Sequence, residues 1–321
     1  MDVTFEPSAA RGAALDEQMR LRLADTLDYV FAQVGDAIGA DVTAAADVTR
    51  RIRHERQSPH MFGAYYEMVL AIEEERIDDA RDLAREILTR SSADALHIRA
   101  IDDRSAQEAG RYRRMFLDSE IVVNQPEPAL LERAMGRIRS AFALLDRGFP
   151  EMAGEVRALL SEIVLAAGSI DPKTMTFDGV SAYMLWGAVL LNARGQTNVL
   201  DTAQALAHES GHNLLFGYCN SGPLIENEDD ELFSSPLRQD PRPMDGVVHA
   251  TYVTARMHQT VSRLLEAGVL DGEQTEAAEK DLTLHRRNFE SGDEVVRSGA
   301  KLTPLGHEIM KSARAYIAAA A

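Results

Sequence analysis

His208, Glu209, Ser210, Gly211 and His212 spell H-E-x-x-H inside a segment of helical periodicity. Histidines four residues apart project from one helix face, a turn apart, and can chelate one metal ion. The glutamate between them lies about 100° around the helix, where it reaches a metal-bound ligand without displacing an imidazole. Two imidazoles do not close a metal site, so a third ligand must come from elsewhere in the chain.

Two stretches offer one. Residues 224–232 (LIENEDDEL) carry Glu226 and Glu231, either of which completes a gluzincin-type zinc site. There zinc lowers the pKa of its bound water, Glu209 takes the proton, and a strand near Trp186 holds an extended peptide. Further on, Pro236, Pro241 and Pro243 stiffen a loop bearing Arg238 and Arg242, and His249 follows at the head of an apolar helical segment. A zinc peptidase leaves that loop and His249 without work. A third reading, a peptide-binding scaffold with a merely structural metal, leaves Glu209 without work. We therefore favour His249 as the third ligand. Tyr252, three residues further on, shares its face and is a candidate to bond substrate or oxidant; Arg256 continues that face.

These segments resemble a family. The sequence 208–212 (HESGH), then 235–238 (SPLR), 240–243 (DPRP) and 246–252 (GVVHATY), preceded by 185–189 (LWGAV), is similar to the HExxH motif-containing peptide-modification proteins. The likeness covers about residues 177–262. It implies an iron(II)- and 2-oxoglutarate-dependent oxygenase that hydroxylates the β-carbon of a side chain in a ribosomally made precursor peptide. It further implies His208, His212 and His249 as iron ligands, with Arg238 or Arg242 anchoring the 2-oxoglutarate carboxylate. The chemistry is coherent: three neutral imidazoles leave open positions for a keto acid and dioxygen, and a guanidinium grips a carboxylate in a bidentate pair. Glu209 then orients an imidazole or the substrate amide rather than serving as a proteolytic base.

The elements that position these groups read as mainly α, an α+β protein: a bundle-like helical scaffold with a small β-sheet beside the metal-binding helix. Residues 199–216 form that helix, with Val199, Leu200, Ala203, Leu206, Ala207 and Leu214 on its core face and Gly217 at its end. The apolar run 182–192 suits a buried strand, a short helix being the alternative. Upstream the pattern is helical throughout. Leu15, Met19, Leu23, Leu27 and Val30 make one stripe, a helix over 59–90 begins at Pro59, and 129–167 is broken near Pro150. His54, His60 and His97 are structural or surface residues, and His258 and His285 read as surface residues. Thr303 and Pro304 open a last helix. The chain divides into a helical amino-terminal lobe, 1–168, for scaffold and peptide docking, and a metal-binding catalytic lobe, 169–321.

Composition narrows the partners. A net charge of −17 lacks the basic surface that phosphate neutralisation needs, so no nucleic acid is expected. No apolar run approaches a membrane span, and the first residues lack a signal-peptide core. Cys219 is the only cysteine, which excludes an internal disulfide and suits a cytoplasmic setting; we read it as a small buried apolar residue. The expected partner is a precursor peptide, and a homo-oligomer is compatible with the sequence.

Overall fold

Helix dominates the chain in a computed structural model that describes residues 3–93, 95–103, 105–116, 121–170, 176–235 and 241–320. In chain order the helices are α1 (Ala9–Ile38), α2 (Val42–His54), α3 (Pro59–Glu73), α4 (Ile77–Thr89), α5 (Ala106–Phe116) and α6 (Pro128–Gly148). There follow α7 (Pro150–Leu159), α8 (Val199–Cys219), α9 (Met244–Glu266), α10 (Gly272–Gly299) and α11 (Pro304–Ala319). The strands are β1 (His97–Ala100), β2 (Val123–Asn124), β3 (Glu162–Gly168), β4 (Gly179–Ser181), β5 (Ala188–Asn192), β6 (Leu232–Phe233) and β7 (Arg242–Pro243). The fold is mainly α with small sheets, as the sequence predicts. Among the described residues, no helix is long and apolar enough to cross a membrane.

The chain forms two compact units, neither continuous in sequence. One comprises Ala13–Glu132 and Arg157–Gly195; the other comprises Met1–Gly12, Arg133–Val156 and Gln196–Ala321. The first holds the main sheet, in order β1-β3-β5-β4, with β2 pairing on β3. Strands β1, β3 and β5 run parallel (Ile98 opposite Ile163, Ile163 opposite Val189), while β2 and β4 are antiparallel to their neighbours. Every residue of β3 is buried, which is how a strand covered on both faces reads in sequence: a continuous apolar run without alternation. Val164 and Leu190 pack with Tyr112, Phe116 and Leu185 in the core of this unit. Gly187 enters β5 with φ of 81°, and its carbonyl accepts the N–H groups of Ser161 and Glu162 at 2.8 and 3.0 Å. A side chain there would be strained.

Three expectations are corrected here. The upstream half is not helical throughout, because β1, β2 and β3 interrupt it; β3 falls within the stretch read as helix to residue 167. The helix over 59–90 is two helices, broken where Glu75 takes φ of 58°. The run 182–192 splits into a 3-10 turn, Tyr183–Leu185, and the strand β5. The stripe on α1 holds for Leu15, Met19, Leu23 and Leu27, all buried, with Val30 only half-buried.

In the second unit α8 packs against α9, and α9 against α10 and α11. Local signals set the ends. The Asn198 side chain accepts the Asp201 N–H at 2.9 Å to cap α8, Asp271 and Gln274 form a capping box on α10, and Thr303 caps α11 with Pro304 at its first position. His258 and His285 are buried rather than on the surface: His258 Nδ1 lies 2.8 Å from the Tyr316 hydroxyl, and His285 meets the Gln204 side chain. Burial, helped by Arg286 and His285, pushes His258 down to about 4 from the 6.5 of an unfolded histidine. The unfolded chain then binds more protons between those values, so stability falls as pH drops from about 6.5 to about 4. Denaturant titrations across that window are expected to show this slope, and a His258→Gln variant to flatten it.

Candidate metal centre

The H-E-x-x-H segment lies in the middle of α8, where a helical repeat stacks His208 under His212 as its spacing requires. Their Nε2 atoms lie 3.2 Å apart. Nitrogens bound to one ion at about 2.1 Å and separated by 90–110° sit about 3.0–3.4 Å from each other, so this pair has the spacing of a chelate. His208 turns its Nδ1 to the Met257 sulfur at 3.3 Å. A thioether is a weak acceptor, so a proton on Nδ1 leaves the Nε2 lone pair for a metal.

His249 reaches the same cluster from α9. Its Nδ1 is 3.2 Å from His212 Nδ1, and the two rings stack with centroids 5.5 Å apart. Its Nε2 faces the Asp245 carboxylate at 3.6 Å, which favours a proton on that nitrogen and leaves Nδ1 as the ligand atom. Burial pulls the His249 pKa down and Asp245 partly opposes it; the net shift is downward, toward the neutral imidazole that binds metals.

His212 therefore turns one nitrogen to His208 and the other to His249. As the rings stand, no three His, Cys, Asp or Glu side chains among the described residues aim their donors at one position. A half-turn of the His212 ring about Cβ–Cγ exchanges Nε2 with Cε1, the carbon that joins those two nitrogens. Three imidazoles on a single ion would require that turn of His212, since the rings as they stand do not converge.

Glu209 is buried, with Oε1 3.9 Å from His208 Nε2, so its carboxylate borders the donor edge of the pair. The Glu231 carboxylate accepts from Lys301 Nζ at 2.7 Å and from the Asn227 amide at 2.8 Å, both of which hold it in the ionised form. Glu226 is exposed, and its N–H donates to the Lys301 carbonyl at 2.8 Å.

The two arginines part company. Arg238 lies outside the described residues. Arg242, half-buried in β7, runs its stem over Gly246: a Cβ built there would meet Arg242 Cδ at 3.8 Å. Gly246 precedes His249 by three residues on α9, so Arg242 lies over the helix face that leads to the imidazole. Tyr252 is buried edge-on against Phe5, with Tyr218, Arg11, Arg256 and Glu155 around it. Burial raises its pKa, so it remains a neutral phenol. Arg256 belongs to that same buried group, bonded to Glu155 and, at 2.9 Å, to the Phe5 carbonyl.

Asp245 and Gly211 escape a motif search. Asp245 is four residues before His249 in the first turn of α9, a spacing that can be read from sequence once the ligand is suspected. Gly211 lets α9 approach: a Cβ there would lie 2.9 Å from Val253 Cγ1, and Val253 is one turn beyond His249. A Gly211→Val variant is expected to lose about 1–3 kcal/mol of stability by overpacking. It should also bind metal more weakly, because α9 must move away. Thermal melts with and without metal check both effects. No protein-family model matches the chain, and no curated protein matches it either.

Proposed function

We propose that the protein hydroxylates a side-chain carbon of a ribosomally made precursor peptide, using iron(II) and 2-oxoglutarate. The observation that carries this reading is the approach of His249 to His212 while Glu231 is engaged by Lys301. An all-imidazole donor set suits a redox metal that keeps several positions open. His208, His212 and His249 hold the ion as neutral ligands, and Asp245 orients His249. Arg242, or Arg238, binds the distal carboxylate of the keto acid. When bound, the iron and keto acid supply an oxidant able to replace a C–H hydrogen by hydroxyl. The chain's own share is to place that C–H and exclude water.

A zinc peptidase is the second reading, and one observation favours it: the buried Glu209 carboxylate beside His208 Nε2 stands where a general base would. The two separate in one assay. Anaerobically purified protein, given iron(II), 2-oxoglutarate and a candidate precursor peptide, is expected to produce succinate and a peptide heavier by one oxygen. Arg242→Lys is expected to raise the KM for 2-oxoglutarate, since an ammonium replaces a bidentate fork by a point charge. Cleaved peptide with zinc alone, and no succinate, would establish hydrolysis instead. The single cysteine, only half-buried rather than the fully buried residue read from the sequence, has its thiol pushed up to about 11 by desolvation, which suits the cytoplasmic setting we assign.

A further inference from the structure

His60, in the first turn of α3, is fully buried in the unit that carries the sheet. Its Nε2 faces two carboxylates from different elements, Glu108 of α5 at 4.0 Å and Glu162 of β3 at 3.9 Å. Its ring lies against that of Tyr112, also of α5, with centroids 4.4 Å apart. Both acids belong to a larger charged group. Glu162 accepts from Arg99 of β1 at 3.0 Å and from the Tyr112 hydroxyl, and His97 of β1 lies opposite it in the sheet. Glu108 accepts from Arg90, the residue after α4, at 2.7 Å, and Arg90 also holds Glu86 of α4. Arg111 of α5 holds Glu86 and Glu67 at 2.8 Å each and reaches the His60 carbonyl at 3.5 Å.

These neighbours decide the charge on the ring. Burial favours the neutral imidazole, and the first turn of a helix weakly repels a cation. Against that, an anion within about 4–6 Å raises a histidine's affinity for its proton about ten- to a thousandfold, and here two carboxylates lie that close. The Tyr112 ring favours a cation as well. His258 makes the contrast: it meets the Tyr316 hydroxyl and the charge of Arg286, and is driven neutral.

We propose that His60 is a buried imidazolium that ties α3 to α5 and β3, and that this tie is released when the proton leaves in alkali. The tie involves none of the metal-centre residues. An unfolded histidine loses its proton near about 6.5, whereas the folded chain keeps this one to higher pH. The folded chain then binds more protons than the unfolded one, so the tie contributes fully below about 6.5 and progressively less as pH rises. Ring-nitrogen chemical shifts of His60 in the intact chain, assigned by triple-resonance NMR, are expected to show both nitrogens protonated at about pH 8, where an ordinary histidine is mostly neutral. Between about pH 7 and about pH 9, the unfolding constant in urea is expected to rise at least tenfold more in the parent chain than in His60→Gln. Glu108→Gln, at a partly exposed position, removes one of the two anions and is expected to weaken the hold on the His60 proton at least tenfold. The ring shifts are read on the unaltered chain, so they decide even where His60→Gln fails to fold. A neutral His60 ring at about pH 8, an equal alkaline loss of stability in His60→Gln, or an unchanged His60 titration in Glu108→Gln would each overturn the assignment.

Discussion

A His249→Ala variant is expected to lose divalent-metal affinity by more than the roughly 10- to 100-fold that removing a ligand-orienting group costs, because a ligand itself goes. The pair left behind, His208 and His212, holds an ion through two nitrogens 3.2 Å apart and nothing from α9. Glu231→Gln is expected to leave the affinity unchanged, since that carboxylate serves Lys301 and Asn227. Asp245→Asn falls between the two: it keeps the shape and hydrogen-bonding capacity but removes the charge that holds the proton on His249 Nε2. Chelator competition with cobalt(II) measures all three, and circular dichroism checks that each variant is folded. The ligand set is wrong if His249→Ala binds like the parent chain while Glu226→Gln or Glu231→Gln does not. Hydroxylation is expected to vanish with the metal in His249→Ala.

The half of the site that follows from a single helix was legible without a structure. His208 and His212 need only the 3.6-residue repeat to meet, and Asn198, a residue type favoured at helix starts, sits directly before their helix. His249 was reachable because a proline-stiffened loop leads to it. Asp245 was not singled out, since its use depends on which His249 nitrogen faces the cluster. Gly211 could not be read at all: its missing side chain matters only because Val253 arrives from another helix.

The fold divides along the same line. Helices with a one-sided stripe or a capping residue were legible, as at Leu15–Leu27 and Thr303–Pro304. Strand β3 was not, because seven residues buried on both faces have no period that separates strand from helix. The break at Glu75 carries neither glycine nor proline to announce it. His285 sits in a densely charged segment and His258 beside polar neighbours, and only the packing of α8, α10 and α11 decides that they face inward.

The buried ions behind the ligand helix give the largest stability effect we expect. Glu155 of α7 is fully buried and accepts from Arg11 at 2.6 Å, from the Ser8 N–H at 2.8 Å and from Arg256 of α9. Arg11 and Arg256 are themselves buried. Replacing the whole group by apolar side chains of equal volume could be neutral, but removing the one anion leaves two guanidinium charges without compensation. Glu155→Ala is therefore expected to cost about 3–5 kcal/mol in denaturant unfolding. Glu151→Ala, at an exposed first-turn position of the same helix, should stay within about 1 kcal/mol. Arg256 lies seven residues, two turns, beyond His249 on α9, so freeing it also loosens the imidazole. Metal at a hundred times its Kd stabilises the folded chain by about 2.7 kcal/mol, if it binds that form alone. Adding metal should thus restore about half to nine tenths of the deficit in Glu155→Ala and far less of the deficit in a Glu155→Ala, His249→Ala double variant. Equal rescue of both would show that the ion is held without α9.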